Sequence, residues 1–373
     1  MGKELFMWDI TAIGELLMDM APVAMENMRN DDLAYLPKPG GAPANCVAQL
    51  TRLGRKGAMI GRVGNDVFGN KILKSLEKAN MDVSCVQRDE EAPTTLAFVS
   101  LDEQGDREFT FYRKASADLR LVWNRAMKEQ IENSRIFHIG TLSMADDPSR
   151  TTTIEALECA QKAGVMISFD PNFRLNLWPS FDALHAVTAL IFPYVDVAKI
   201  SGDELLAFCH PQLVRKAMNK KGMVDYQLPP AAPDDEVLQQ AITDILNRYP
   251  NLKLLAVSFG CQGSILAVRG KTVFIPAFSV QAVDTTGSGD AFMGAILYSL
   301  LIETDRIAMD KGVTPLSKPC ALARLSWENL PLQDMGTFAN ACGAYAAMNY
   351  GGIPSLGKRE EVEKMMREVR NAQ

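Results

Sequence analysis

The sequence predicts an α/β fold with a mostly parallel sheet and helices on both faces. Three observations lead there. Short apolar runs of buried-strand type alternate with stretches of helical periodicity along most of the chain. An extended approach over 272–283 runs through Asp284-Thr285-Thr286-Gly287-Ser288-Gly289-Asp290-Ala291-Phe292 into an apolar helical stretch. One segment alone breaks the alternation, and it reads as a β-hairpin.

Taken in order, strands are expected at 10–17, 58–63, 136–139, 165–169, 195–200 and 254–259. Helices are expected at 44–53, 68–78, 149–163, 235–248, 291–301 and 335–349. The hairpin spans 94–101 and 107–113, where apolar and polar residues alternate around Asp102-Glu103-Gln104-Gly105. Two proline-containing stretches of mixed polarity, 210–235 and 303–331, read as surface excursions. No internal repeat or coiled-coil heptad is evident.

The 373 residues are 47% hydrophobic, ample for a large core, and carry a net charge of −6. Nothing in that balance suggests nucleic-acid binding through bulk charge. No apolar run approaches the roughly 20 residues of a membrane helix. The first ten residues carry charges and lack the apolar run of a signal peptide. Seven scattered cysteines without a Cys-x-x-Cys pair suit reduced thiols and a cytoplasmic location. Three separated histidines disfavour a His-based zinc site, and His138 reads as a strand residue.

The chemistry concentrates at Gly287-Ser288-Gly289-Asp290. Glycine allows a tight turn and close approach to a ligand. The first N–H groups of a helix lack intrahelical partners and sit at its positive end, so the turn suits an anion. Asp290 beside it either caps the helix or accepts a proton from a hydroxyl attacking a phosphoryl group. Gly-x-x-x-x-Gly-Lys-Ser/Thr is absent, which disfavours a P-loop kinase. No Gly-x-Gly-x-x-Gly follows the first strand, which disfavours a dinucleotide-binding oxidoreductase. Asp170-Pro171-Asn172-Phe173-Arg174 follows a strand, where ligands bind in open parallel sheets. Ser201-Gly202-Asp203-Glu204 also reads as a helix N-terminus.

The run 284–292 closely resembles the signature of ribokinase-like sugar kinases, the phosphofructokinase-B type family. Pro39-Gly40-Gly41-Ala42-Pro43-Ala44-Asn45 resembles that family's N-terminal Gly-Gly motif. The similarity extends from about residue 9 to 355 and is greatest to fructokinases. It implies one domain over 1–373, a three-layer sandwich with a small β lid built from 16–38 and 94–113.

The resemblance further implies ATP with Mg2+, and a potassium site near Asp284, Thr286, Gly352 and Ser355. Asp290 would be the general base, with the amides of Gly287, Ser288 and Gly289 as an anion hole and Arg174 at the sugar or the transferred phosphate. Ser288 stands where Ala is most common. Asp19, Gly40, Gly41 and Asn45 would hold the sugar, with Phe98, Arg107 and Arg113 covering it. Lys199, Ser201 and Glu204 would serve the phosphates, with Glu204 helping to organise magnesium and Ser201 replacing the usual Asn. Ser258, Gly260, Gly263 and Asn340 would line the nucleotide. The implied partners are a sugar and ATP, with a homodimer as the assembly and neither nucleic acid nor membrane. The alternatives are a 2-keto-3-deoxygluconate kinase, whose acid substrate would need Arg107, Arg113 or Arg174, and a catalytically silent sugar-binding relative.

Overall fold

The computed structural model describes residues 7–23, 34–101, 107–218, 224–312, 314 and 325–372. The first half runs β1 Trp8–Ile13, β2 Leu17–Pro22, β3 Tyr35–Gly40, α1 Ala42–Arg52, β4 Gly57–Gly64, α2 Val67–Lys78, β5 Met81–Asp89, β6 Thr95–Leu101, β7 Arg107–Tyr112, α3 Arg125–Glu132, β8 Ser134–Ile139 and α4 Ser149–Lys162. It continues with β9 Met166–Phe169, α5 Phe181–Ile191, β10 Val197–Ser201, α6 Gly202–Cys209, β11 Arg215–Met218, β12 Val224–Gln227 and α7 Glu236–Arg248. The last part is β13 Leu254–Ser258, β14 Gly263–Val268, β15 Lys271–Pro276, α8 Ser288–Asp310, α9 Leu332–Ala347 and α10 Arg359–Ala372.

The main sheet has nine strands in the order β15-β14-β13-β10-β9-β8-β1-β4-β5. Pairing is parallel from β5 to β13, and β14 and β15 close the other edge as antiparallel strands. Successive side chains leave opposite faces of a strand. On β8, Ile136 joins the core under α1, α8 and α9, whereas Phe137 joins the core under α4 to α7. Covering both faces explains why these strands read as continuous apolar runs.

A second sheet has the order β3-β2-β6-β7. The expected first strand at 10–17 is therefore two strands in two sheets. The break falls at Gly14, where a Cβ would lie 2.5 Å from the Pro43 ring. The chain crosses there between sheets, packed against the start of α1. The expected hairpin is present as β6 and β7; its turn, 102–105, lies outside the described residues. Helix α8 continues to Asp310, so residues 303–310 are helix and not excursion. The excursion at 210–235 forms the β11–β12 hairpin.

Helix α8 is fixed at its far end by charge. Buried Arg135 on β8 bridges Asp9 on β1 and Asp305 on α8, each at 2.8 Å, and Arg55 reaches Asp305 at 2.6 Å. Removing one member of such a buried set costs about 3–5 kcal/mol. The clamp holds α8 at the level of the main sheet. Among the described residues no helix is long and apolar enough to cross a membrane.

Candidate active site

The site lies beyond the carboxyl ends of β1, β8, β9 and β10, where α8 begins. Gly287 caps α8 with φ 82°, a left-handed conformation that favours glycine. The second glycine has a different reason. A Cβ on Gly289 would sit 3.0 Å from Lys199 Nζ, so a side chain there would fill the space beside the ammonium. Gly289 and Asp290 lie in the first turn of α8, ahead of the bond from Ala291 N to Gly287 O at 2.8 Å.

Asp290 is held by Asn45, whose Nδ2 donates to Oδ2 at 2.8 Å. Asn45 lies in the first turns of α1, after Gly41 at φ 124°. A Cβ on Gly41 would collide with the Glu15 carbonyl, so the chain crossing after β1 requires this glycine. Burial pushes the Asp290 carboxyl up to about 6, and Asp170 adds to the rise; Asn45, Lys199 and Arg174 oppose it. Lys199 pairs with Asp170 at 3.0 Å, while Asp170 Oδ1 is buried without a hydrogen-bond partner.

Two cavities meet at this turn. One, of about 290 Å³, is walled by Glu15, Asp19, Asn45, Phe111, Arg174 and Asp290, together with Gly287 and Gly289. Its roof is the four-stranded sheet. Register places Lys38, Asp19, Ala97 and Phe111 in one row on the same face. A Cβ on Gly40 would overlap the Asp19 carboxylate, so that glycine makes room for it. Burial pushes Asp19 up to about 7, against Arg174 and helped by Asp284 and Asp290. Burial also pushes Glu15 up to about 7, although the Ala42 amide donates to its Oε1 at 2.9 Å.

The other cavity, of about 490 Å³, has Ser258, Gly260, Gly263, Ser288, Gly289 and Asn340 in its wall. It is the more apolar of the two, with Phe278, Val280 and Phe292 contributing. Ser288 Oγ is buried without a partner at its boundary. Thr285 and Gly289 belong to both cavities. The 287–289 turn is thus the partition between a polar chamber and a larger, more apolar one.

The family model of the pfkB family carbohydrate kinases matches residues 7–359. The chain belongs to this family. It is a carbohydrate kinase with the ribokinase-like fold. It is 35% identical to probable fructokinase-5 of Arabidopsis thaliana over 358 residues, covering 96% of this chain and 97% of that protein. It is 33% identical to fructokinase-1 of Zea mays over 365 residues, 98% of each. A fructokinase with bound ATP from Xylella fastidiosa superposes with TM-score 0.74 at 27% identity, covering 97% of this chain and 99% of that one. A fructokinase from Vibrio cholerae O395 in a fructose-, ADP- and calcium-bound form gives 0.72 at 27%, covering 96% and 98%.

Most of the expected residues converge. Asp19, Gly41, Asn45, Arg174, Lys199, Gly287, Gly289 and Asp290 wall the first cavity, and Ser258, Gly260, Gly263, Ser288 and Asn340 the second. Four expectations change. Phe98 pairs with Thr110 and faces away from the first cavity, packing edge-on to Tyr35 and Tyr112 at 4.9 and 5.3 Å. Phe111, one row over, is the aromatic wall. Arg113 is committed elsewhere: Nε donates to Asp118 at 2.7 Å and an Nη to the Leu142 carbonyl at 2.8 Å. Glu204 accepts from Phe173 N at 2.6 Å and Ser201 N at 3.1 Å, the second bond closing a capping box on α6. Among the described residues, the two cavity walls do not include Ser201 or Glu204. The Arg107 side chain lies outside the described residues.

Asn340 also serves packing, since Nδ2 donates to the Ile275 and Pro276 carbonyls at 3.0 and 3.1 Å. Asp284 accepts from Thr286 N at 2.8 Å and Gly351 N at 2.9 Å. Ser355 Oγ donates to Gly352 O at 2.7 Å, completing the loop beside the turn. The residue reading missed Glu15, Phe111 and Asp170 as site components. Alternation along the hairpin separates Phe111 from Tyr112, but only the cross-strand register puts Phe111 in the row of Asp19.

Proposed function

We propose that this carbohydrate kinase is a fructokinase, transferring the γ-phosphoryl group of ATP to a primary hydroxyl of fructose. The observation that carries the reading is the shared wall: a polar chamber and a larger apolar one abut at a helix N-terminus with a partly buried carboxylate. The sugar occupies the chamber of Asp19 and Asn45, under the small sheet acting as a lid. The nucleotide occupies the chamber of Ser258 and Asn340. Similarity to fructokinases over nearly the whole chain supports both placements.

Asp290 takes the proton of the attacking hydroxyl as the new oxygen–phosphorus bond forms and the bond to the bridging oxygen of ADP breaks. A base that titrates near 6 is ionised at neutral pH and still accepts a proton. Amides of the 287–289 turn and Arg174 stabilise the charge on the transferred group. Phosphoryl transfer needs mainly such alignment and charge stabilisation.

Magnesium would accompany ATP and shield phosphate charge. Among the described residues no cluster of three or more His, Cys, Asp or Glu could hold a metal ion. That suits an ion that keeps its waters and binds mostly to phosphates. Asp170 lies behind the wall of the first cavity but keeps a buried oxygen without a partner, so it would reach a water of that ion more readily than Glu204, whose oxygens hold backbone amides. We extend the reading to a potassium ion at Asp284, Thr286, Gly352 and Ser355, an oxygen-only set suited to a hard cation. Scattered cysteines support a cytoplasmic location.

The test is ATP consumption with fructose, ribose, 2-keto-3-deoxygluconate and nucleosides. The reading expects fructose to lead in kcat/KM by about tenfold, or about 1.4 kcal/mol. An equal lead for another acceptor replaces the sugar and leaves the kinase intact. No turnover with any of them, alongside sugar binding, favours the silent relative.

A further inference from the structure

We propose that Lys38 is a latch between the small sheet and the anion turn, so that occupancy of the sugar chamber tightens the nucleotide chamber. The inference rests on the placement of sugar and nucleotide given above. Lys38 lies on edge strand β3, in the row of Asp19 and Phe111 that faces the sugar chamber. Prolines 37 and 39 flank it. Proline fixes its own backbone and holds the preceding residue extended, so the lysine is presented from a stiff support.

From there the side chain leaves its own sheet. Its Cδ lies 2.6 Å from where a Cβ on Gly351 would be, and Gly351 has φ 87°. Its Nζ stands 5.0 Å from the centre of the Tyr350 ring. Burial favours loss of its proton, and the Asp284 carboxylate opposes that. Asp284 in turn clasps Gly351 N and Thr286 N, tying the 350–352 loop to the turn before α8. The same loop touches the catalytic centre twice more. A Cβ on Gly287 would lie 3.2 Å from Gly352 Cα, and one on Gly352 would lie 2.6 Å from Asn45 Oδ1. Asn45 holds Asp290.

A continuous path therefore runs from the roof of the sugar chamber to the anion turn. Among the described residues of this path, Lys38 alone is carried by the small sheet. A lysine contributing only surface charge would point to water and reach neither Tyr350 nor Gly351. As a positioning residue it touches neither reacting group. Its effect appears in how one substrate alters binding of the other.

The experiment measures binding of a non-hydrolysable ATP analogue by calorimetry, with and without the acceptor that gives the highest kcat/KM. Using that acceptor keeps the test standing even if fructose is the wrong sugar. In the native protein the acceptor is expected to tighten analogue binding about fivefold or more, the scale of ordinary site–site coupling. Lys38→Met is expected to bring that factor below about twofold, with analogue affinity in the absence of sugar unchanged. Lys38→Arg is expected to retain it, and Tyr350→Leu to reduce it in part. Tyr350 is largely exposed, so that variant keeps the test available if Lys38→Met does not fold. The latch is overturned if the native protein shows no coupling, if Lys38→Met keeps the native factor, or if it weakens analogue binding equally with and without sugar.

Discussion

Replacing Asp290 by Asn separates the chemical from the structural role of this carboxylate. The substitution is nearly isosteric, and an Asn oxygen can still accept the 2.8 Å bond from Asn45 Nδ2. Activity is expected to fall about 10²–10⁴-fold, the usual contribution of a positioned base. Affinity for an ATP analogue is expected to stay within about twofold, because the amides of the turn remain.

Stability moves the other way. Folding raises the Asp290 pKa from 3.8 to about 6, so the folded state binds the proton more tightly than the unfolded chain. The stability gained is fully present below the unfolded value and is lost as pH rises through about 6. At pH 8 the buried charge therefore costs about 3 kcal/mol, at about 1.4 kcal/mol for each pH unit between those two values. A neutral amide escapes that cost. For a chain of this length the unfolding entropy makes 3 kcal/mol worth about 4 °C. Calorimetric melting at pH 8 should then show the variant as the more stable protein, with the difference shrinking toward pH 4. A steady-state kcat within about tenfold of native removes Asp290 as the base. A melting temperature lowered at pH 8 refutes the electrostatic argument.

Gly289→Val places a side chain against Lys199 Nζ and should lower kcat about 10²-fold with little change in melting temperature; normal kcat with collapsed stability would make the glycine purely structural. Phe111→Ala should raise the sugar KM, whereas Phe98→Ala should lower the melting temperature and spare KM, because its two edge contacts are worth about 1–3 kcal/mol. The reverse pattern would mean that the register of the small sheet is wrong. The profile of kcat/KM should fall below about pH 6 by about tenfold per unit, as Asp290 takes up its proton; a flat profile down to pH 5 contradicts the base assignment.

Strands β1, β4, β8, β9, β10 and β13 and helices α1, α2, α4, α7, α8 and α9 were legible from their apolar patterns, whereas β14, α3, α5 and α10 were not among the expected elements. Strand β5 was not, since within it Met81, Cys85 and Asp89 are buried while the residues between them are at least partly exposed. The crossing at Gly14–Leu16 was hidden for a related reason. Both sheets bury the strands on either side, so hydrophobicity runs on while the backbone changes sheet. The 287–289 turn was legible because it is contiguous and both its glycines have a reason, Gly287 its left-handed backbone and Gly289 the Lys199 ammonium beside it. The partners of Arg113 and Glu204 were not legible, because a charge near a strand end does not disclose what it binds within the protein. Asp118, five residues after Arg113, and the Phe173 amide decide those two cases.

Those same partners bear on the choice of acceptor. The sugar chamber gathers Glu15, Asp19 and Asp290, and burial pushes all three carboxyls upward. Its cations are Arg174 and Lys199, and Lys199 is already paired with Asp170. Of the three arginines a sugar acid could use, Arg113 is bound to Asp118, Arg174 lies in the wall, and the Arg107 side chain lies outside the described residues. A substrate carboxylate would thus enter a buried wall that carries more acid than base. Hydroxyl groups face no such penalty. They donate to an ionised carboxylate and accept from a protonated one, so they suit groups that titrate near neutrality. Hydroxyl recognition also uses the burial productively: each carboxyl the sugar satisfies is one that water can no longer reach. On the function proposed above, the charge of the described wall favours a neutral polyol over 2-keto-3-deoxygluconate, with Asp19 and Asn45 as the groups offered to its hydroxyls.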